Sequence, residues 1–383
     1  MQKINELQLA KELIRFPTVT PVDAGVMKFL EKKLKKLGFK TKLLEFKEKD
    51  FKPVKNLYAR LGRKGPNFCY AGHLDVVPPG NIKDWTINPF KPSVKNNHLI
   101  GRGANDMKSS VAAFVSAVSN FLSKNEKFNG SISLLITGDE EGDAINGTKK
   151  VVEYLKKRKE KINFCLVGEP TNPNKLGEMI KIGRRGSLTG KLNIIGHQGH
   201  VAYPEKAENP IHISSKIIYE FLDIKFDNGN KYFPPTSFQI SNINSGTGVD
   251  NVIPANIKIA FNIRYSTETN HDEIKDTIIK ILDNSNAKYD ITWKHSGEPY
   301  LTTNHEFIDI CKDSIEEITN IKTLISTNGG TSDGRFMAKV CKQVVELGLT
   351  NRSIHKINEC VKEDDLMILV EIYKNILSKI FIK

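Results

Sequence analysis

The chain has 383 residues, 57 Lys+Arg against 44 Asp+Glu and a net charge of +13, long enough for two or three domains that bury their own cores. Hydrophobic content of 39% and charged content of 26% exclude a disordered chain. Five cysteines without a CxxC pair match neither a disulfide framework nor a thiolate zinc site, so a reducing cytoplasm is the expected compartment. The basic excess is scattered, as KKLKKLGFKTK (32–42) and KKRKEK (156–161), and interleaves with no aromatics, so no nucleic-acid partner is expected. The most apolar stretch, 109–123, is too short to span a membrane and carries several serines, and the N-terminus places charges where a signal peptide needs an apolar run. A membrane role is therefore not expected.

In chain order, 22–38 reads as an amphipathic helix stopped by Gly38, followed by strands at 41–46, 56–61 and 67–71. A Pro/Gly/Asn-rich loop (78–97) leads to a helix that starts near Asp106 and runs through SSVAAFVSAVSNFL. Then come a buried strand (131–138), a helix at about 146–160 and another strand, FCLVG (164–168). Strand–helix–strand alternation predicts an α/β domain with a mainly parallel mixed sheet flanked by helices. From about Arg184 to His295 the order changes to strand, helix, strand, strand, helix, strand, a smaller α+β unit inserted into the first domain. The reading therefore assigns 1–183 and 296–383 to one domain and 184–295 to the insert, with a final helix from about 363.

Potential ligands fall where strands end: His73 and Asp75 in CYAGHLD, Asp106 in GRGANDMK, Asp139-Glu140-Glu141 in LLITGDEEG, and Glu169 in CLVGEP. In an open α/β sheet, sites form at the carboxyl ends of strands, so these groups should converge. His355, in NRSIHKINE just before the last helix, is a fifth ligand candidate. Imidazoles and carboxylates without thiolates suit Zn²⁺ or Co²⁺ sites with open positions for water. Two His and three carboxylates suffice for two metals if one carboxylate bridges, and such a pair activates a shared water. Glu140 and Glu141 are adjacent and point different ways on a strand end, so one can ligate while its neighbour acts as base. Asp75 has the spacing to orient His73. Each group also has a bland reading: Asp106 as a helix N-cap, the DEE cluster as an acidic first turn.

Taken together, HLDVVPPG with Trp85 beyond it, GRGANDMKSS, TGDEEG, VGEPT, IGRRGSLTG, GHQGHVAYPEKAENP, GTGVDNVIPA, GGTSDGR and ELGLTNRSIHKINE resemble the co-catalytic zinc aminoacylase and carboxypeptidase superfamily over nearly the whole chain. The resemblance implies that His73 and Glu169 hold one zinc, Glu141 and His355 the other, and Asp106 bridges them, two ions per subunit with cobalt able to substitute. It makes Asp75 the carboxylate behind His73 and Glu140 the general base. It makes His200 an oxyanion donor delivered from the opposite subunit of a homodimer, so that the insert is a dimerisation domain. Arg184, Ser187, Tyr203, Asn251, Arg264, Thr331 and Asn351 match substrate-contacting positions. The implied reaction is hydrolysis of the amide in N-succinyl-LL-2,6-diaminopimelate; acetylornithine or a dipeptide is the alternative substrate. Two residues depart from the pattern, Asn105 before the bridging Asp and Arg352 between Asn351 and His355.

Overall fold

The computed structural model describes residues 3–125 and 127–382. They divide into two compact units: one comprises 3–183, 301–326 and 332–382, the other 184–300 and 327–331. No helix among the described residues is long and apolar enough to cross a membrane.

The first unit is built on a mixed sheet of eight strands among the described residues, in the order Lys40–Phe46, Val54–Gly62, Ser131–Thr137, Asn67–His73, Phe164–Val167, Val344–Glu346, Met179–Lys181, Leu324–Ser326. The four central strands, from Ser131–Thr137 to Val344–Glu346, are parallel to one another, whereas Ser131–Thr137 runs antiparallel to Val54–Gly62 and Val344–Glu346 to Met179–Lys181. Ser131–Thr137, Asn67–His73 and Phe164–Val167 are buried at every position, the pattern of a sheet covered on both faces. As a mixed sheet requires, one edge is antiparallel: Lys40–Phe46 and Val54–Gly62 pair that way, because the short link at 47–53 can form a hairpin but not a crossover.

Helices cover this sheet. Val26–Lys36 buries Val26, Met27, Leu30 and Leu34 and turns its lysines outward; it starts four residues later than read from the sequence, after the left-handed Gly25. Lys108–Lys124 is buried almost all round, packed between the sheet, Glu363–Phe381 and an N-terminal helix, Glu6–Ile14. That last helix, capped by Asn5, is an addition to the elements read from the sequence.

The second unit is an antiparallel sheet in the order Ser237–Ser245, Asn256–Tyr265, Gly186–Ile195, Lys288–Gly297, with helices Pro210–Asp223 and His271–Asn284 packed with it. Along Asn256–Tyr265, Ile257, Ile259, Phe261, Ile263 and Tyr265 point inward in strict alternation. The strand Lys288–Gly297 and the short turn after it carry this unit past the boundary at 295 to Tyr300.

Gly190 faces Phe261 across two paired strands, and a Cβ there would lie 2.3 Å from the phenyl ring. Gly190→Ala is therefore expected to destabilise the second unit by about 1–3 kcal/mol through overpacking, read as a lower denaturation midpoint; an unchanged midpoint would show that the ring has room to move.

Candidate metal centre

The parallel strands end level with one another. His73 pairs in register with Thr137, and Ala71 with Val167, so the residues that follow each strand meet at one edge. Here His73 Nε2 lies 3.1 Å from Asp106 Oδ1 and 3.7 Å from Glu169 Oε1. His355 Nε2 lies 3.1 Å from Glu141 Oε1 and 3.5 Å from Asp106 Oδ2. Asp106 thus faces both imidazoles with its two oxygens. Donor atoms of His73, Asp106 and Glu141 fall within 4.8 Å of one another, as do those of His73, Glu140 and Glu169.

Two of the bland readings fail on this geometry. Asp106 caps no helix: Lys108–Lys124 begins two residues later without a side-chain cap. The acidic trio forms a turn, since the next helix begins only at Thr148; Asp139 braces that turn by accepting the amides of Ile145 and Asn146.

Asp75 holds the site in a different way from the one its spacing suggests. His73 Nδ1 lies 2.9 Å from the Asp75 main-chain oxygen, whereas the Asp75 carboxylate is 3.7 Å away. A carbonyl oxygen only accepts, so Nδ1 carries the proton and Nε2 is left to face Asp106 and Glu169. The carboxylate accepts instead from the amides of Glu140 (3.2 Å) and Glu141 (3.0 Å), which fixes the turn on the neighbouring strand.

His355 adopts a left-handed backbone, φ 59°, and is half exposed, whereas His73 is buried. Asn351, four residues earlier, donates its amide to Asn172 O at 2.8 Å. Asp333 is a buried carboxylate that the sequence reading passed over, although it lies in the quoted GGTSDGR block. Thr148 donates to its Oδ2 at 2.6 Å, its Oδ1 has no hydrogen-bond partner among the described residues, and burial pushes its pKa up to about 6.

In the second unit, His200 and Val252 pair across two short strands, Val201 N donates to Asn251 O, and the His200 and Tyr203 rings lie 5.7 Å apart. His200, Tyr203 and Asn251 therefore form one exposed group. Ser187 and Arg264 are cross-strand partners, Arg184 Nη1 donates to Asn328 O, and that short 327–331 segment carries Thr331.

The donor set of the first unit fits metal ions. Glu169 Oε1 is buried with no hydrogen-bond partner among the described residues, and five carboxylates surround two imidazoles. Burial and then the Asp106 charge raise the Glu169 pKa well above the carboxylate range. Burial pushes Glu140 up to about 8, Asp333 and Glu141 adding to the rise and His73 opposing it. Burial disfavours a charged His73, but its hydrogen bond to Asp106 and the charges of Glu169, Asp106 and Asp75 outweigh this and hold its pKa well above the ordinary value. Hydrogen bonds to Asp106 and Glu141 push His355 up to about 10. Protons on the imidazoles thus balance part of the negative charge, and a divalent ion must displace them. Zinc added to the metal-free protein near neutral pH is expected to release protons, with affinity falling as pH drops from about 8 to about 6; affinity independent of pH over that interval would contradict this charge balance.

Comparison with known proteins agrees with this picture. Residues 69–379 match the model of Peptidase family M20/M25/M40. A succinyl-diaminopimelate desuccinylase of Pelagibacter ubique is 58% identical, with all of both chains covered. The M20 family metallo-carboxypeptidase Sso-CP2 of Sulfolobus solfataricus has a similar fold, at TM-score 0.80 and 19% identity over 98% of this chain and 99% of that one. So does a dinuclear metal binding peptidase of the M20 family from Bacillus subtilis, at TM-score 0.70 and 15% identity over 97% and 96%. The imidazoles and carboxylates at the strand ends and the match across most of the sequence lead to one conclusion: the chain belongs to peptidase family M20/M25/M40.

Proposed function

We propose that the chain is a metal-dependent amide hydrolase that converts N-succinyl-LL-2,6-diaminopimelate and water to LL-2,6-diaminopimelate and succinate. The observation that carries this reading is the 58% identity to a succinyl-diaminopimelate desuccinylase over the full length of both chains. The gathering of His73, Asp106, Glu141, Glu169 and His355 at one edge of the sheet supports it. Such a step belongs to diaminopimelate and lysine biosynthesis, for which a cytoplasmic location is apt.

In this reading His73 and Glu169 would hold one zinc ion, Glu141 and His355 a second, and Asp106 would serve both. Ions held there would supply carbonyl polarisation and a lowered water pKa. The protein's own groups do the rest. Asp75 keeps the His73 proton on Nδ1, so that Nε2 presents its lone pair. Glu140 removes a proton from the attacking water, whose oxygen bonds to the amide carbon. The carboxyl then passes this proton to the nitrogen as the carbon–nitrogen bond breaks, leaving the free amine and the succinate carboxylate.

Arg184 and Arg264 read the substrate's carboxylates as planar forks, aided by Ser187, Tyr203, Asn251, Thr331 and Asn351. His200 donates to the oxyanion from the partner subunit of a homodimer, and the inserted unit carries that interface. The exposed group formed by His200, Tyr203 and Asn251 suits a donor that completes a site outside its own fold.

Three measurements test these assignments. Glu140→Ala should reduce turnover by at least ~10²-fold with metal content retained; parallel loss of metal would reassign Glu140 as a ligand. Mixing inactive His200→Ala and inactive Glu140→Ala subunits should restore part of the activity, and no recovery after verified subunit exchange would exclude a donor supplied in trans. Finally, N-succinyl-LL-2,6-diaminopimelate should have a far higher kcat/KM than N-acetylornithine or a dipeptide. A preference for either of those would move the chain to a different substrate within the same family.

A further inference from the structure

Arg102 and Glu359 form an ion pair at 2.8 Å with side chains only 2% and 1% exposed, and its hydrogen bonds reach both segments that carry Asp106 and His355. Glu359 Oε1 accepts the amides of Asn105 (2.7 Å) and Asp106 (2.9 Å). Its Oε2 accepts the amide of Gly103 (2.9 Å) and Arg102 Nη1. Three main-chain donors therefore converge on one carboxylate and fix the loop that ends in Asp106. Arg102 reaches the other way: Nη1 donates to Lys356 O at 3.2 Å, and Nη2 to His355 O at 3.5 Å and Pro78 O at 3.4 Å. Its guanidinium also lies over the Trp85 ring, 5.1 Å from the centroid, so the fork has little freedom to turn.

The two segments meet because strand Cys360–Lys362 pairs with His98–Ile100, with Gly101 N donating to Glu359 O. That pairing sets the backbones side by side, and beyond it the loops are held by Arg102 and Glu359 together with Asn105 Nδ2, which donates to Ser353 Oγ at 3.0 Å. Asp106 Oδ2 and His355 Nε2 are 3.5 Å apart, a spacing that depends on how those loops are held.

We propose that Arg102 and Glu359 are positioning residues that set Asp106 and His355 against each other, so that the affinity of the metal centre depends on this buried pair. A glutamine at 359 has the same shape, but its amide nitrogen must meet either the Asn105 and Asp106 amides or the Gly103 amide and Arg102, donor against donor. Removing one partner of a buried pair also leaves the other charge uncompensated. Lysine at 102 keeps the charge yet lacks the planar fork that spans Glu359 and the His355 and Lys356 carbonyls.

The inference rests on the metal-centre reading. The experiment is zinc and cobalt binding to the full-length protein, wild type, Glu359→Gln and Arg102→Lys, each first checked for a native circular-dichroism spectrum in the metal-free state. Folded Glu359→Gln is expected to bind metal about 10–100-fold more weakly, with an altered visible spectrum of the cobalt form. Its kcat at saturating metal should be lowered and its KM little changed. Arg102→Lys should show the same changes to a smaller degree, and it decides the matter if Glu359→Gln does not fold. Wild-type metal affinity and an unaltered cobalt spectrum in a folded variant would overturn the proposal. Failure of the unmodified protein to bind either ion would overturn the metal-centre reading itself.

Discussion

Five carboxylates, Asp75, Asp106, Glu140, Glu141 and Glu169, gather around two imidazoles at the carboxyl edge of a buried sheet, and this concentration of negative charge is the constraint on which the rest depends. In a low-dielectric interior, like charges at such distances repel strongly and each unpaired oxygen loses its hydration. The fold meets this in two ways. Some oxygens are satisfied by main-chain amides: Asp75 by the Glu140–Glu141 turn, Asp139 by Ile145 and Asn146, Glu359 by the Asp106 loop. The remainder face the imidazoles or, like Glu169 Oε1, have no hydrogen-bond partner among the described residues. The first group is scaffold. The second is available to cations.

This division could be read only partly from the sequence. Apolar runs that each end in His, Asp or Glu were visible because a parallel strand buried on both faces has almost no polar residues until it leaves the sheet. The convergence of those ends follows from parallel pairing in register. What stayed hidden was which atom makes each contact. The spacing of His73 and Asp75 suggested a carboxylate–imidazole pair, and the contact is made by the Asp75 carbonyl, because the carboxylate is drawn to two amides on the next strand. Glu359, four residues past His355, gave no separate signal: a lone acid before a short strand looks like any surface glutamate until the fold buries it against Gly103, Asn105 and Asp106.

The fold shows the same balance. Helix 26–36 and the strands of the second unit follow from their periodicity, and inward alternation along Asn256–Tyr265 is as regular as a half-buried strand allows. The antiparallel edge at Lys40–Gly62 was not apparent, since a list of strands does not state their direction; only the shortness of the 47–53 link carries that information. Helix Glu6–Ile14 buries just four side chains on a short amphipathic face, a weak pattern that tertiary packing against Lys108–Lys124 makes stable.

The backbone at His355 has a consequence for how this chain can change. With φ at 59°, the position favours Gly or Asn, which adopt left-handed conformations at lower energy than other residues. Replacing this histidine would relieve backbone strain while deleting an imidazole that faces two carboxylates. Stability and the donor set of the candidate centre are thus opposed at one residue, and a selection that scored only resistance to heat would tend to erase the imidazole there first.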